Sequence, residues 1–469
     1  MSKAALLLAL LIAVGLAQQV VWSRCLTGIG PYDYLDLAVD TRDNVIVTTV
    51  PWVRKYSPDG DSLWAKELHL PASPPYDVAT TQVATDPEDN IIVGKTTSDT
   101  TWVVMKLTPT GESLWTWDTV LPTPGYYWLT DIATNSNSCI LVTGCYPSTY
   151  DGRWVTFQLT PDGRTDWMRT FTSNWGPEFA EGVCADPFDN VVVGGSRGIS
   201  GRPRQWFPQL IKYSQDGDTL AEVVYDPYPF PANLDGYEPA TDPEGNMLLP
   251  GGGVIWDTTG GRYRWHGAFL FKYDPQGNPL WQWFSDTTRN GLFEFQGCGT
   301  DTAGNIFAAG SRVLPDSRLV IELRRFTPEG DTVWKFYCPM CENANRYHPP
   351  PVSLAIDRQG DIITVATTTC VAPHPDTAYI FKVSERPGIA EAQERCKVKS
   401  FWLPTIIGSA HAMRLTFPSD TRAEVYDESG RLVQKLGSDR TVRVPSAGVY
   451  FIRLESPSYQ QTGKLVVTK

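Results

Sequence analysis

The sequence predicts an all-β protein, and three observations carry that prediction. Short apolar runs rich in Val, Ile, Tyr and Trp are bounded by turns of Asp, Asn and Gly. Long helical periodicity is absent. A two-turn unit recurs along the 469 residues at a fairly regular period. Its first copy is Asp40-Thr-Arg-Asp-Asn-Val-Ile-Val-Thr-Thr49, continued by Val53-Arg-Lys-Tyr-Ser-Pro-Asp-Gly-Asp-Ser-Leu-Trp64. Leu35 to Val39 reads as a first strand, Val45 to Val47 as its return, Val53 to Tyr56 as a third, and the segment bearing Trp64 as a fourth.

The first Asp of the first turn serves as a ruler. It recurs as Asp40, Asp86, Asn135, Asp186, Asp242, Asp301 and Asp357, followed four residues later by Asn44, Asn90, Cys139, Asn190, Asn246, Asn305 and Asp361. Asp opens a type I turn, and Asn or Gly accepts the left-handed conformation that closes it. Cys139 departs from that chemistry, so the third turn is expected to be irregular. Two residues before the ruler stand Ala38, Ala84, Ala133, Cys184, Ala240, Gly299 and Ala355, a small-residue column suited to innermost strands converging on an axis. Seven matches predict a seven-bladed β-propeller.

The second turn recurs as Pro109-Thr-Gly111, Pro161-Asp-Gly163, Gln215-Asp-Gly217, Pro275-Gln-Gly277 and Pro328-Glu-Gly330. It precedes Trp115, Trp167, Ala221, Trp281 and Trp334 in turn. Each indole can bury about 150–250 Å² between neighbouring blades, worth at most roughly 4–6 kcal/mol. The seventh copy stops at Ser384 without a Gly turn or Trp. The missing strand is predicted at the other end, in Val20-Val-Trp-Ser-Arg24, which would close the ring and remove its open edges. The repeats, of the form Ala-Val-Asp-x-x-Gly-Asn-Val and Lys-Tyr-x-x-Asp-Gly-x-x-x-Trp, resemble the bacterial β-propeller repeat family over about residues 20 to 384. That resemblance implies a fold and no single task.

Four segments are predicted: a signal peptide over 1–17, the propeller over 18–384, a linker over 385–395 and a small C-terminal β-sandwich over 396–469. Lys3, the apolar run Ala4 to Val14 and Gly15-Leu-Ala17 form the export signal. In the tail, Val425-Tyr-Asp-Glu-Ser-Gly-Arg-Leu-Val433, Ala447-Gly-Val-Tyr-Phe-Ile-Arg-Leu454 and Gly463-Lys-Leu-Val-Val-Thr-Lys469 resemble the C-terminal sorting domain of the type IX secretion system. That resemblance implies secretion machinery as a partner and a secreted or cell-surface location. Leu403-Pro-Thr405 stands where that family opens with Pro-Asn-Pro.

The net charge is −12. Residues 396–469 carry 11 Lys+Arg and 6 Asp+Glu, so the tail is +5 and the remainder −17. An acidic body does not suit a nucleic-acid partner. The nine cysteines leave at least one outside any intrachain disulfide. Cys139 and Cys145 lie too far apart on one strand to bridge. Cys338-Pro-Met-Cys341, read as a loop, is the plausible local pair, with free thiols the alternative.

Gly194-Gly-Ser-Arg-Gly198 matches the Gly-x-Ser-x-Gly nucleophile pattern, but no helix follows to make an elbow, so Ser196 is not read as catalytic. Ser57-Pro-Asp-Gly-Asp-Ser-Leu-Trp64 approximates a sialidase Asp-box with its glycine one place early. The Asp-rich turns lack the closing bidentate acid of a calcium loop. No Walker loop, Rossmann glycine set or zinc motif occurs, so neither metal nor cofactor is expected.

The second–third and blade-to-blade connections share one face, vary in length and gather aromatics. A glycan or peptide ligand is expected there, on Tyr127, Trp128, Trp206, Trp256, Arg264, Trp265 and His266. The main functional expectation is a non-catalytic binding or adhesion protein. The alternative is an extracellular hydrolase or lyase using acids four residues before the ruler at the channel mouth, namely Asp36, Asp131 and Glu238, with Gln82 and Ser353 in the same column.

Overall fold

The computed structural model describes residues 19–27, 35–49, 51–68, 81–98, 101–121, 127–146, 153–172, 178–199, 202–227, 230, 232–256, 263–286, 293–314, 319–341, 352–368 and 377–385, and seven segments between 406 and 467. The expected signal peptide, and the expected linker beyond 385, fall outside these residues. The chain divides into two compact units, 1–388 and 389–469.

Every element described is a strand. After β1 (Gln19–Thr27), the first repeat holds β2 (Asp36–Val39), β3 (Val45–Thr49), β4 (Trp52–Tyr56) and β5 (Ser62–Glu67). The second holds β6 (Thr81–Thr85), β7 (Ile91–Ser98), β8 (Thr101–Leu107) and β9 (Ser113–Val120). The third holds β10 (Trp128–Thr134), β11 (Ile140–Tyr146), β12 (Arg153–Leu159) and β13 (Thr165–Phe171). In the fourth are β14 (Glu178–Ala185), β15 (Val191–Ile199), β16 (Arg202–Tyr213) and β17 (Thr219–Val224). The fifth splits its first strand into β18 (Ala232–Gly236) and β19 (Ala240–Thr241), followed by β20 (Met247–Trp256), β21 (Tyr263–Tyr273) and β22 (Pro279–Phe284). The sixth is β23 (Phe293–Thr300), β24 (Ile306–Val313), β25 (Leu319–Phe326) and β26 (Thr332–Cys341). The seventh is β27 (Val352–Ile356), β28 (Ile362–Thr368) and β29 (Thr377–Ser384).

The first four repeats each form a four-stranded antiparallel sheet in chain order. The seventh reaches four strands by taking β1 against β29, with Gln19 opposite Ser384 and Thr27 opposite Thr377. Repeats five and six merge into one nine-stranded sheet, joined where Gly252 of β20 meets Glu294 of β23. The first strands touch in succession: β2 with β6, β6 with β10, β10 with β14, β14 with β19, β19 with β23, β23 with β27, and β27 with β2. The circuit is closed and the fold is β-propeller-like.

Two devices recur at the joints between sheets. Ruler acids form buried ion pairs with a third-strand lysine: Asp40–Lys55 at 2.7 Å, Asp86–Lys106 at 2.8 Å, Asp186–Lys212 at 2.7 Å, Asp242–Lys272 at 2.8 Å and Asp357–Lys382 at 2.8 Å. Four of those ammoniums also donate to a carbonyl of the next second turn, Pro109, Pro161, Pro328 and Pro58 in ring order. The fourth-strand indoles cover the glycines of the same turns. A Cβ on Gly60 would sit 2.7 Å from Trp22, one on Gly163 2.8 Å from Trp115, and one on Gly330 2.8 Å from Trp281. All three glycines hold positive φ. Where Ala221 replaces Trp, Gly277 is met by Val223 instead. The seventh repeat has no such glycine, and Trp334 donates its indole N–H to Glu385.

Two turn expectations are corrected. The left-handed residue lies third after the ruler, not fourth: Asp43, Asp89, Ser138 and Asp189 have φ of 60–66° and Gly245, Gly304 and Gly360 of 77–79°. The turn around Cys139 is regular, since Ser138 N donates to Asn135 O at 3.1 Å and Cys139 N to Asn135 Oδ1 at 2.9 Å. The ruler carboxylates are occupied by their own turns, Asp40 Oδ1 accepting from the backbone of Arg42 and Asn44. Cys338 and Cys341 lie on β26 rather than in a loop, and the Cys341 side chain is outside the described residues.

In the C-terminal unit, 406–407, 459–467, 448–456, 422–427 and 432–435 form a five-stranded sheet in that order, and 412–414 pairs with 441–443. Ala423, Val425, Tyr450 and Ile452 are buried in this unit.

Candidate functional site: the acidic rim of the axis

Regularity fails at one level of the first strands. Register slips between Leu129 and Asp131, Ala180 and Gly182, and Phe295 and Gly297, so Thr130, Glu181 and Gln296 are bulged residues five before the ruler. In the fifth repeat the departure is larger. Pro239 has no N–H for the ladder, so β18 ends at Gly236 and β19 resumes at Ala240. Between them Glu238 bridges to the sixth repeat, in a parallel bridge with Gly297 and an N–H to Gln296 O contact of 3.3 Å. Glycines make room for the detour: a Cβ on Gly182 would meet Glu238 Cα at 2.6 Å, and one on Gly194 would meet Pro239 at 2.9 Å.

The detour gathers ionisable groups. Tyr237 donates its hydroxyl to Glu294 Oε2 at 2.8 Å, and Ser196 Oγ, in mid-strand, accepts Gly236 N–H at 2.9 Å. Asp131, Glu181, Asp235, Glu238 and Glu294 are half-buried, on or beside the first strands of their repeats, rather than sealed in a dry core. On the tight-turn side the first strands of repeats one, two, three and seven end around a depression of about 380 Å³, bordered by Val39, Thr85, Thr134 and Ile356.

Burial pushes every one of these acids upward, and neighbouring charges add to it. Glu181 rises to about 8 by burial and then the Asp235 charge, and Asp235 to about 7 by burial and then Glu294. Glu238 stands well above the ordinary range through burial, then Asp131, Asp36 and Glu181. Asp131 is likewise raised by burial and then Asp36. Asp36 rises to about 6 by burial, against the Val83, Ser353 and Leu37 bonds that favour its ionised form. Glu294 is raised by burial, opposed by the Tyr237 hydroxyl, while Tyr237 itself is held well above its usual value by burial and then Glu294. The partial exposure of Asp131, Glu181, Asp235, Glu238 and Glu294 tempers these shifts without reversing them.

The structure brings Asp36, Asp131 and Glu238 into one electrostatic group, but with different duties. Asp36 accepts N–H from Leu37 and from Val83 of the next repeat, and the Ser353 hydroxyl, each at 2.7 Å. Asp131 accepts from Ile132 and from Val183 of the next repeat at 2.7 Å. Both are joints between sheets. The Glu238 and Glu181 carboxylates have no hydrogen-bond donor among the described residues. Glu181, Asp235 and Glu294 escaped the sequence reading. The columns five and seven before the ruler mix polar and apolar residues, with Thr81, Thr130 and Gln296 in one and Asp33 in the other, so these acids carried no signal of their own.

The aromatic set separates by burial. Tyr127 is 1% exposed, stacks on Tyr146 at 5.0 Å and accepts the Trp102 indole N–H on its carbonyl; it is core. Trp265 is also buried, crossing Phe284 edge-on at 5.1 Å and donating to Ser285 O at 2.9 Å. Neither ring faces solvent, which corrects their expected place on an open face. Trp128 is exposed, and Trp206, Trp256 and His266 are half-buried. Trp206 packs edge-to-face on Phe179 at 6.2 Å, and its buried indole N–H has no partner among the described residues. Burial lowers His266 from its ordinary value. The Arg264 side chain lies outside the described residues.

No known family pattern matches this sequence, and no curated protein matches it. Solved structures do match in shape. The polysaccharide lyase Uly1 is 11% identical with a TM-score of 0.48, covering 76% of this chain and 90% of its own. An ulvan lyase is 10% identical with a TM-score of 0.48, covering 77% and 94%. A Dyadobacter fermentans protein of unknown function is 10% identical with a TM-score of 0.45, covering 78% and 99%. At these values no activity is carried over.

Proposed function

We propose that this chain is an exported binding or adhesion protein, a seven-bladed β-propeller presenting a ligand face, followed by a C-terminal sandwich that serves secretion or surface sorting. The blade count rests on five four-stranded sheets plus the two halves of the nine-stranded sheet. The ligand is a glycan or an extended peptide docked against Trp128, Trp206 and Trp256. The observation that carries the binding reading is Trp206: a half-buried indole whose N–H has no partner among the described residues, on the side where the second–third connections lie. A buried donor left unpaired costs about 1–3 kcal/mol, and an acceptor on a ligand would recover it. Replacing Trp206 and Trp256 together by Ala should weaken binding on a glycan or peptide array by about tenfold or more, with a nearly unchanged melting temperature. Normal binding by that variant would place the site elsewhere.

A second reading rests on Glu181 and Asp235, raised by burial to about 8 and about 7 beside Tyr237, a range suited to groups that transfer protons to a sugar. On that reading the protein is a carbohydrate hydrolase or lyase. Turnover of an acidic polysaccharide that vanishes in Glu181→Gln would select it.

A further inference from the structure

We propose that the depression at the tight-turn end of the axis binds a neutral sugar, a pyranose unit held by its hydroxyls. This site is separate from the aromatic loops of the other face and does not rest on the reading given for them. Its volume of about 380 Å³ falls at the low end of the range of about 300–1,000 Å³ found for ligand clefts, which suits a small ligand.

The hydrogen-bonding capacity left in the lining selects the ligand. Thr85, Thr134 and Ser136 line the depression, and their hydroxyls already donate, to Val39 O at 2.9 Å, Thr85 O at 2.7 Å and Asp189 Oδ2 at 2.8 Å. What remains on each is a lone pair. Donors come from two further lining residues. The Arg358 side chain is exposed and has no hydrogen-bond or ionic partner among the described residues, and the Thr41 hydroxyl has none either. An anion would meet the lone pairs, and a cation would meet Arg358. The lining acids Asp40 and Asp86 are already neutralised by Lys55 and Lys106, at 2.7 and 2.8 Å. Among the described residues, no three His, Cys, Asp or Glu side chains are gathered to hold a metal ion. A pyranose fits both halves of the lining: its hydroxyls donate to lone pairs and accept from a guanidinium, and its C–H face suits Val39, Pro87 and Ile356.

A second observation is that this wall, and not the rest of the ring, is fixed by clasps between successive repeats. Arg358 donates its N–H to Asp43 Oδ1 at 3.1 Å, Thr41 to Asp89 Oδ1 at 2.8 Å and Ser136 to Asp189 Oδ1 at 2.8 Å. Pro87 has no N–H to give, and there the Ser138 hydroxyl donates to its neighbour Glu88 at 2.6 Å. Asp43, Asp89, Ser138 and Asp189 all hold left-handed φ of 60–66°. At the same position in repeats five, six and seven stand Gly245, Gly304 and Gly360, which take that conformation freely and have no side chain to clasp with. The repeats clasped in this way are seven, one, two and three, the four that line the depression. Walls ordered beforehand lose less freedom when a ligand binds.

Saturation-transfer NMR and isothermal titration of the full chain test this, with the methyl α-glycosides of glucose, galactose, mannose and xylose as probes and sodium sulfate as the anionic competitor. Saturable binding of at least one glycoside is expected, with no competition from sulfate. Arg358→Ala should weaken it by about tenfold and Thr41→Val by about fivefold. Neither side chain bonds to another described residue, so both variants should melt as the unaltered chain does. The Trp206 and Trp256 double variant should bind the same glycoside normally, which separates this site from the aromatic one. Failure of every glycoside to saturate, normal affinity in both the Arg358 and Thr41 variants, or competition by sulfate would overturn the proposal. Loss of binding in the Trp double variant would overturn it as well, by placing the sugar on the aromatic face.

Discussion

Asp86 and Lys106 meet at 2.8 Å with almost no exposure, and the third repeat shows what such a pair requires. There the acid is Asn135, the lysine is Gln158 and the turn's Asn is Cys139, so three positions change together. An Asn side chain offers N–H where Asp86 offers the oxygen that accepts from both Lys106 and Asn90. Asn90 and Lys106 would then be donors facing a donor. Gln158 keeps the other lysine bond, donating to the carbonyl of Gln215 in the next turn at 3.1 Å. Burial acts to raise the Asp186 carboxyl, but Lys212 and Asn190 outweigh it and hold the group below its usual range. Lys106→Met alone should therefore cost about 3–5 kcal/mol by stranding a buried carboxylate. Transplanting the neutral trio, Asp86→Asn, Asn90→Cys and Lys106→Gln, should cost clearly less in urea unfolding. Equal losses would show that the trio is not a self-sufficient replacement.

At the scale of the element, a glycine under an indole does two jobs that substitution can separate. Gly163 and Gly360 both hold left-handed φ, +83° and +79°, but a Cβ on Gly163 strikes Trp115 and one on Gly360 meets nothing within 4 Å. Each Ala substitution carries the left-handed penalty of about 1–2 kcal/mol. Gly163→Ala should add about 1–3 kcal/mol more by displacing the indole. Chemical denaturation of the two variants measures the difference directly, and equal destabilisation would mean the indole contact is loose. The bulges belong to the same scale. An extra residue in β10, β14 and β23 turns Thr130, Glu181 and Gln296 out of the alternation that strand patterning reads.

For the propeller unit as a whole, the two sets of acids pull its pH dependence in opposite directions. Asp36, Asp235 and Glu181 hold protons more tightly folded than unfolded, at about 6, 7 and 8 against 3.8, 3.8 and 4.5. Their contribution to stability is full below the unfolded values and is lost as pH rises through 6 to 8. Asp40, Asp186 and Asp242, held low by lysine and asparagine against the burial that would raise them, contribute above their unfolded value and lose that as pH falls through the folded one. Thermal melts should thus give a higher Tm at about pH 5 than at about pH 8, and Glu181→Gln should remove part of that gap. A Tm rising steadily from pH 5 to pH 8 would contradict this account.

The sequence by itself determined what is local or periodic. Strands, both turns, the ruler acids and the Trp–Gly column follow from alternation and turn chemistry repeated with few departures along the chain, which averages out the ambiguity of any one copy. The absence of a fourth strand after Ser384 and a spare one around Trp22 pointed to the pairing of β1 with β29. Only the tertiary structure decided which polar residues meet. Asp36 and Asp131 reach backbone N–H groups about fifty residues away, and Glu181, Asp235 and Glu294 come together because closing the circuit draws three repeats onto one axis. Burial of Tyr127 and Trp265 was likewise invisible, because an aromatic beside a loop carries no mark of which way its ring turns. That direction is set by the neighbouring repeat, and the linear pattern of one repeat does not contain it.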